Sequence, residues 1–258
     1  MTKLGKAFEN KRAFIAFITA GDPDLETTEK LIYEMVENGV DLIEIGIPFS
    51  DPIAEGVVIQ EADLRALENG ATTEKIFDLV AKIRPNIHIP LVFMTYCNVI
   101  FGYGTEKFTS KCEEIGIDGL IVPDVPYEEK DELLPFCQKH GLELVSLVAP
   151  TSKDRITEIA KNADGFLYIV SSLGVTGVRS EIKTDIGEIV NATKSASDIP
   201  CAVGFGISTP EQAEKMCSQA DGIIIGSAIV KIIAKYGKNS VKPVGEYVKS
   251  IAEVCHKG

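Results

Sequence analysis

A chain of 258 residues, 45 % hydrophobic and 25 % charged, has the balance of a globular enzyme, with room for one large domain or two small ones. Its net charge of −12, with no compensating basic stripe, repels a phosphate backbone and argues against nucleic acid as a partner. The cysteines Cys97, Cys112, Cys137, Cys201, Cys217 and Cys255 form no C-x-x-C pair and lie in apolar or helical surroundings, so reduced thiols and a cytoplasmic location are expected.

In chain order, a short extra helix is expected over Lys3 to Asn10. Lys11 and Arg12 precede "AFIAFITA", which imitates a signal peptide until "GDP" ends it with no small-residue cleavage pattern following. No other stretch reaches the roughly 18 apolar residues of a membrane span. The next segment, "DLETTEKLIYEMVENG", places Leu25, Leu31, Ile32, Met35 and Val36 largely on one helical face, and Gly39 suits the helix end. Eight short apolar runs punctuate the chain: "AFIAFI", "DLIEIGI", "PLVFMTY", "DGLIVP", "LELVSLV", "GFLYIV", "PCAVGFG" and "DGIIIGS". Runs apolar along their whole length suit parallel strands buried on both faces, and the longer segments between them supply the crossover helices. Eight such units predict a (β/α)8 TIM barrel, with a doubly wound open sheet as the rival. No Ser/Pro/Gly-rich linker divides the chain, so residues 1–258 are expected to form one domain.

The second run carries a glutamate. If Ile43, Ile45 and Ile47 face the helices, then Leu42, Glu44 and Gly46 face the barrel interior. A buried carboxylate costs several kcal/mol unless it is paired. The bland explanation is an ion pair with an inward Lys or Arg, but no neighbouring run contains one. Near the C-terminal mouth of a barrel the other explanation is chemistry. The following loop, "PFSDPIAEG", reads as ordered. Asp51 before Pro52 is explained as well by a turn as by function. Glu55 sets a second acid beside Glu44, and two carboxylates in different environments can divide acid and base roles.

Glycines follow the late strands in "SSLGVTGVRS", "VGFGIS" and "IIIGSAIV". Such turns, with a helix starting at Gly226-Ser227, can hold a phosphate by backbone N–H groups, although β-to-α turns also use glycine for its dihedral freedom. Lys231 is expected to point outward from that helix. His88, His140 and His256 are scattered without metal-ligand spacing, so no metal is expected. There is no G-x-S-x-G elbow or P-loop, and "GFGIS" lacks the third glycine of a dinucleotide fingerprint.

Together, "IEIGIPFSDPIAEG", "GLIVPDVPYEE", "GVTGVRSE", "GFGISTPEQ" and "DGIIIGSAIVKII" resemble the tryptophan synthase alpha subunit family, from Phe14 to the last helix. The resemblance implies a (β/α)8 barrel that cleaves indole-3-glycerol phosphate to indole and glyceraldehyde 3-phosphate without metal or organic cofactor. It also implies an alpha2beta2 complex whose beta subunit carries pyridoxal phosphate and receives the indole. Carried over by motif, Glu44 is the acid/base acting at indole C3 and the glycerol hydroxyl. Phe17, Met94, Ile121, Tyr168 and Phe205 line the indole site, and Thr176 and Gly177 belong to a loop that closes over substrate. Gly206, Gly226 and Ser227 form the phosphate cradle, and Asp51, Pro52, Ile53 and Ala54 meet the beta subunit. The family's "ADGP" reads "AEGV" here, so its second acid, an aspartate on the indole N–H, is Glu55, and Val57 replaces proline. Two other functions stay open at this point: a weakly catalytic barrel that mainly activates the beta subunit, and an isomerase acting on an aminosugar phosphate.

Overall fold

Each of the eight apolar runs forms strand in the computed structural model, which describes residues 2–9, 11–170, 186–204 and 206–257. The strands are β1 (Ala13–Thr19), β2 (Leu42–Gly46), β3 (Leu91–Met94), β4 (Gly119–Ile121), β5 (Glu143–Leu144), β6 (Ser146–Val148), β7 (Leu167–Val170), β8 (Cys201–Gly204) and β9 (Gly222–Ile225). Eight runs give nine strands because "LELVSLV" is interrupted at Val145. All pairings are parallel, in the order β5-β4-β3-β2-β1-β9-β8-β7-β6. The two ends of that order, β5 and β6, are halves of one segment, so the sheet closes on itself. This is a TIM barrel, and the open doubly wound sheet is excluded.

The side-chain alternation expected for β2 holds. Ile43, Ile45 and Ile47 join the apolar layer between strands and helices. Leu42 instead packs in the lumen with Ile15, Phe17, Val92, Met94, Ile121, Tyr168, Ala202 and Ile224. The register sets Phe17, Glu44 and Val92 side by side across β1, β2 and β3. Glu44 therefore emerges among apolar lumen neighbours.

Local chemistry fixes the ends of these elements. The amphipathic helix Leu25–Glu37 starts where Asp24 accepts the Thr27 N–H at 2.7 Å, and the backbone leaves it through Gly39 at φ +96°. Thr72 and Thr209 cap Thr73–Ile83 and Pro210–Cys217 in the same way. At the N-terminal mouth of the barrel, an aspartate before each of β2, β4 and β9 ties its strand to the preceding neighbour. Asp41 accepts the Phe14 N–H (2.8 Å), Asp118 that of Leu91 (3.0 Å) and Asp221 that of Cys201 (2.8 Å). Charge-assisted bonds of this kind pin strand register.

The expected N-terminal helix over Lys3 to Asn10 is a tighter, shorter 3₁₀ turn at Leu4–Phe8. The Glu143 carboxylate accepts the Lys3 and Leu4 N–H groups at 2.6 and 3.2 Å, and Leu4 plugs the lumen floor. Among the described residues, no helix is long and apolar enough to cross a membrane. The six cysteines are free thiols, with the Cys217 and Cys255 sulfurs 3.3 Å apart.

Candidate active site

Glu44 sits on the third residue of β2 with 1 % of its surface exposed. Among the described residues, neither carboxylate oxygen has a hydrogen-bond partner. The structural ion pair considered from the sequence is not found among the described residues. Burial, reinforced by the nearby charge of Glu55, pushes its pKa up from 4.5 to about 8. At neutral pH Glu44 thus carries a proton, in an apolar lumen and within reach of the charge of Glu55 on the adjoining loop.

Glu55 lies on that loop, 4 % exposed, immediately before the helix Val57–Glu68. Its position is fixed by backbone contacts on both sides. The Tyr96 hydroxyl accepts the Ala54 N–H at 2.9 Å, the Gln60 side-chain amide donates to the Glu55 carbonyl at 2.8 Å, and the Glu55 N–H reaches the Pro52 carbonyl at 3.3 Å. Tyr96 also stacks on Phe49, ring centroids 5.3 Å apart. Burial, and after it the charges of Glu44 and Glu55, raise the phenol of Tyr168, on β7, well above its usual value of 10. The two acids and this phenol occupy one space. A buried proton donor, a loop carboxylate and apolar walls of Phe17, Met94 and Ile121 suit a flat aromatic ring whose atoms gain and lose protons.

After β9, Gly226 precedes the helix Ser227–Tyr236, whose N-cap makes no side-chain hydrogen bond among the described residues, an N-terminus of the kind that can receive an anion. Gly226 keeps φ at −118°, so its identity is not a matter of dihedral freedom: a Cβ there would meet the Phe17 side chain at 3.1 Å. Gly206, after β8, does need its freedom, with φ +85°. Lys231 is exposed, as expected. The described residues contain no cluster of His, Cys, Asp or Glu able to hold a metal. His140 is engaged by Glu113 (2.7 Å) and Glu106 (3.1 Å), and His256 by Asp41 (2.8 Å).

The sequence of residues 5–256 matches the family model described as "Tryptophan synthase alpha chain". The chain belongs to the tryptophan synthase alpha chain family. A tryptophan synthase alpha chain of Lacticaseibacillus casei is 45 % identical over 251 residues, covering 97 % of this chain and 94 % of that one. One from Thermoanaerobacter sp. (strain X514) is 48 % identical over 261 aligned positions, covering 98 % and 100 %. Among solved structures, a Mycobacterium tuberculosis tryptophan synthase chain superposes with a TM-score of 0.90 at 32 % identity, covering 100 % of this chain and 99 % of that one. The alpha chain of Legionella pneumophila gives 0.89 at 34 %, covering 99 % and 97 %. Alpha chains are lyases that cleave indole-3-glycerol phosphate within tryptophan synthase, on a barrel without its own cofactor and with a beta subunit as partner.

Within the tryptophan synthase alpha family the residues carried over by motif distribute as follows. Phe17, Met94, Ile121 and Tyr168 pack in the lumen and Glu44 stands in register with Phe17, Gly206 follows β8, Gly226 and Ser227 follow β9, and Glu55 lies on the loop after β2, near enough for its charge to act on Glu44 and Tyr168. Asp51 and Ile53 are exposed, Ile53 by 76 %, with Pro52 and Ala54 half-buried. Thr176, Gly177 and Phe205 lie outside the described residues. Sequence reasoning missed Tyr96 and Asp63. Tyr96 closes the third run, and its place at the C-terminal end of a barrel strand was a usable signal. Asp63 shares the buried face of its helix with Ile59, Ala62 and Ala66, so its helical spacing with those apolar residues was a usable signal.

Proposed function

We propose that Glu44 and Glu55 divide the proton work of a retro-aldol cleavage of indole-3-glycerol phosphate. The observation that carries this reading is the buried, unpartnered Glu44 carboxyl, held as an acid at neutral pH. Glu44 gives its proton to indole C3, converting the ring to an iminium tautomer. Glu55, as carboxylate, accepts a hydrogen bond from the ring N–H and steadies the positive charge that develops there. Glu44, now ionised, takes the proton of the glycerol hydroxyl next to the ring. The carbonyl of glyceraldehyde 3-phosphate forms as the carbon–carbon bond breaks, and the bond's electron pair restores the aromatic indole. One proton leaves Glu44 and one returns, so no net proton is consumed.

Phe17, Met94, Ile121 and Tyr168 sandwich the ring, with Phe205 beside them, and Gly206, Gly226 and Ser227 hold the phosphate through backbone N–H groups. An overall acidic protein binds an anion in this way because the attraction is local and dipolar. Thr176 and Gly177 belong to the closing loop. The chain acts as one barrel domain in the cytoplasm. Asp51, Pro52, Ile53 and Ala54 dock a beta subunit in an alpha2beta2 complex, where pyridoxal phosphate on that subunit would consume the indole.

Indole release from indole-3-glycerol phosphate by the purified chain, with and without a beta subunit, tests the reading. Indole formation that rises with the partner and is blocked by indole-propanol phosphate, an unreactive analogue, is expected. No indole under any condition, or turnover of an aminosugar phosphate instead, would reject it.

The packing of the lumen supplies a second test. A Cβ on Gly204 would lie 2.5 Å from the Tyr168 hydroxyl oxygen and 2.6 Å from a ring carbon, too close for either to stay. Gly204→Ala should displace the Tyr168 ring and lower kcat/KM about 10- to 100-fold, the scale of an ångström-sized misplacement. Circular dichroism should show the fold retained; unchanged kinetics would remove Tyr168 from the site.

A further inference from the structure

The turn after β8, where Gly206 takes φ +85°, is tied to the last helix of the chain by a residue to which no role has been given. Tyr247 lies in the middle of the helix Val241–Cys255, and its hydroxyl donates to the Ser208 carbonyl at 3.1 Å across 39 residues of sequence. Two other bonds hold Ser208 from close by. Its N–H and its hydroxyl both donate to the Gln212 side-chain oxygen, at 2.8 and 3.1 Å. Thr209 then caps the helix Pro210–Cys217 by accepting the Gln212 N–H at 3.3 Å. Those bonds are local and fix the shape of the turn. The Tyr247 bond fixes where the turn stands relative to another element.

That element reaches both halves of the proposed phosphate cradle. The helix Val241–Cys255 packs against Pro210–Cys217, which follows the Gly206 turn, and against Ser227–Tyr236, which begins just after Gly226. Val244, Val248 and Ile251 are buried along it. An anion held by backbone N–H groups of two separate turns needs both at a set spacing, since a misplacement of about 1 Å takes one set out of hydrogen-bond reach. Apolar packing is non-directional, whereas a hydrogen bond to a backbone carbonyl sets a position. Burial raises the Tyr247 phenol above its usual value of 10, so it stays a donor at any pH near neutral.

We propose that Tyr247 is a positioning residue for the substrate phosphate: its hydroxyl holds the Ser208 carbonyl, and with it the Gly206 turn, at the spacing from Gly226 and Ser227 that lets both turns bind one phosphate. The inference rests on the phosphate cradle proposed above. Tyr247 acts through Ser208 and has no part in the proton transfers, so its loss is felt at the phosphate end of the substrate and not at the ring.

Tyr247→Phe keeps the ring and its packing and removes the hydroxyl alone. Calorimetric titration of parent and variant with glycerol 3-phosphate, indole-propanol phosphate and indole reads the phosphate end, the whole site and the ring end in turn. The variant should bind both phosphates about 3- to 10-fold more weakly, the scale of one lost hydrogen bond, and should bind indole as the parent does. KM for indole-3-glycerol phosphate should rise by the same factor with kcat within about 2-fold of the parent, the signature of binding lost equally in ground and transition states. Unchanged phosphate affinity, or equal weakening for indole and glycerol 3-phosphate, would make Tyr247 a packing residue and overturn the proposal while the cradle stands. A parent that binds glycerol 3-phosphate no better than glycerol would end the cradle reading and this inference with it. If Tyr247→Phe does not fold, hydrogen exchange of the parent decides. Protection by glycerol 3-phosphate that covers residues 206–209 and extends to the helix around Tyr247 supports the proposal, and protection confined to residues 206–209 rejects it.

Discussion

Glu44→Gln should lower kcat for indole-3-glycerol phosphate cleavage about 10²- to 10⁴-fold, the usual contribution of a positioned acid–base group, with KM little changed. Glutamine keeps the shape of the side chain and cannot deliver a proton to C3. The same substitution should not cost stability. Glu44 is buried with both oxygens unpartnered, so its charged form is a burden on the fold that a neutral amide does not carry. The sign of the pH dependence follows from linkage. The folded chain holds the Glu44 proton up to about pH 8, whereas the unfolded chain releases it near 4.5. Between those values the native state binds more protons, so stability is complete below pH 4.5 and is lost as pH rises to 8. The slope is at most about 1.4 kcal/mol per pH unit. Urea midpoints at pH 5 and pH 8 should therefore drop further in the parent than in Glu44→Gln. Wild-type turnover in Glu44→Gln would take the acid role away from this residue.

Removing the second carboxylate is the other large effect. Glu55→Gln should reduce kcat on the order of 100-fold, since the ring nitrogen then loses the negative charge that steadies the iminium. Glu55→Asp is the more instructive change, because the motif carried by the family has aspartate there. The loop in this chain is fastened by Tyr96 to Ala54, by Gln60 to the Glu55 carbonyl and by the Glu55 N–H to Pro52. It cannot easily follow a carboxylate withdrawn by one methylene, so a loss of about 10- to 100-fold is expected. Val57 matters less. It is the first residue of its helix and 64 % exposed, and proline is well tolerated at a first helical position. If Glu55→Asp instead raised activity well above the parent, the native chain would be the weak lyase that serves mainly to activate its partner.

Much of this was legible in the sequence because it depends on local pattern. Unbroken apolar runs gave the strands, and the two-residue period of "DLIEIGI" gave the inward direction of Glu44. Asp24 and Gly39 marked the ends of their helix. What escaped depends on partners distant in sequence. "LELVSLV" reads as one strand, and only the change of hydrogen-bonding neighbour at Val145 divides it, with Leu144 paired to Leu120 and Ser146 to Leu167. The aspartates before β2, β4 and β9 look like ordinary strand-end residues until the adjacent strand supplies the N–H that each accepts. Asp63 sits at helical spacing with Ile59, Ala62 and Ala66, but its hydrogen-bond partners, the Thr19 hydroxyl and the Phe49 N–H, are distant in sequence. The charge state of Glu44 could be argued from the cost of burial but not assigned, since that required knowing that no described residue hydrogen-bonds its carboxyl.

The account stands on Glu44 entering the reaction as a protonated acid. A ¹³C-carboxyl NMR titration of the free chain, with the Glu44 resonance identified by its loss in Glu44→Gln, measures this directly. A midpoint near 8 is the predicted result. A midpoint near 4.5 would mean that Glu44 is a carboxylate at neutral pH, and the proton for indole C3 would have to come from another group.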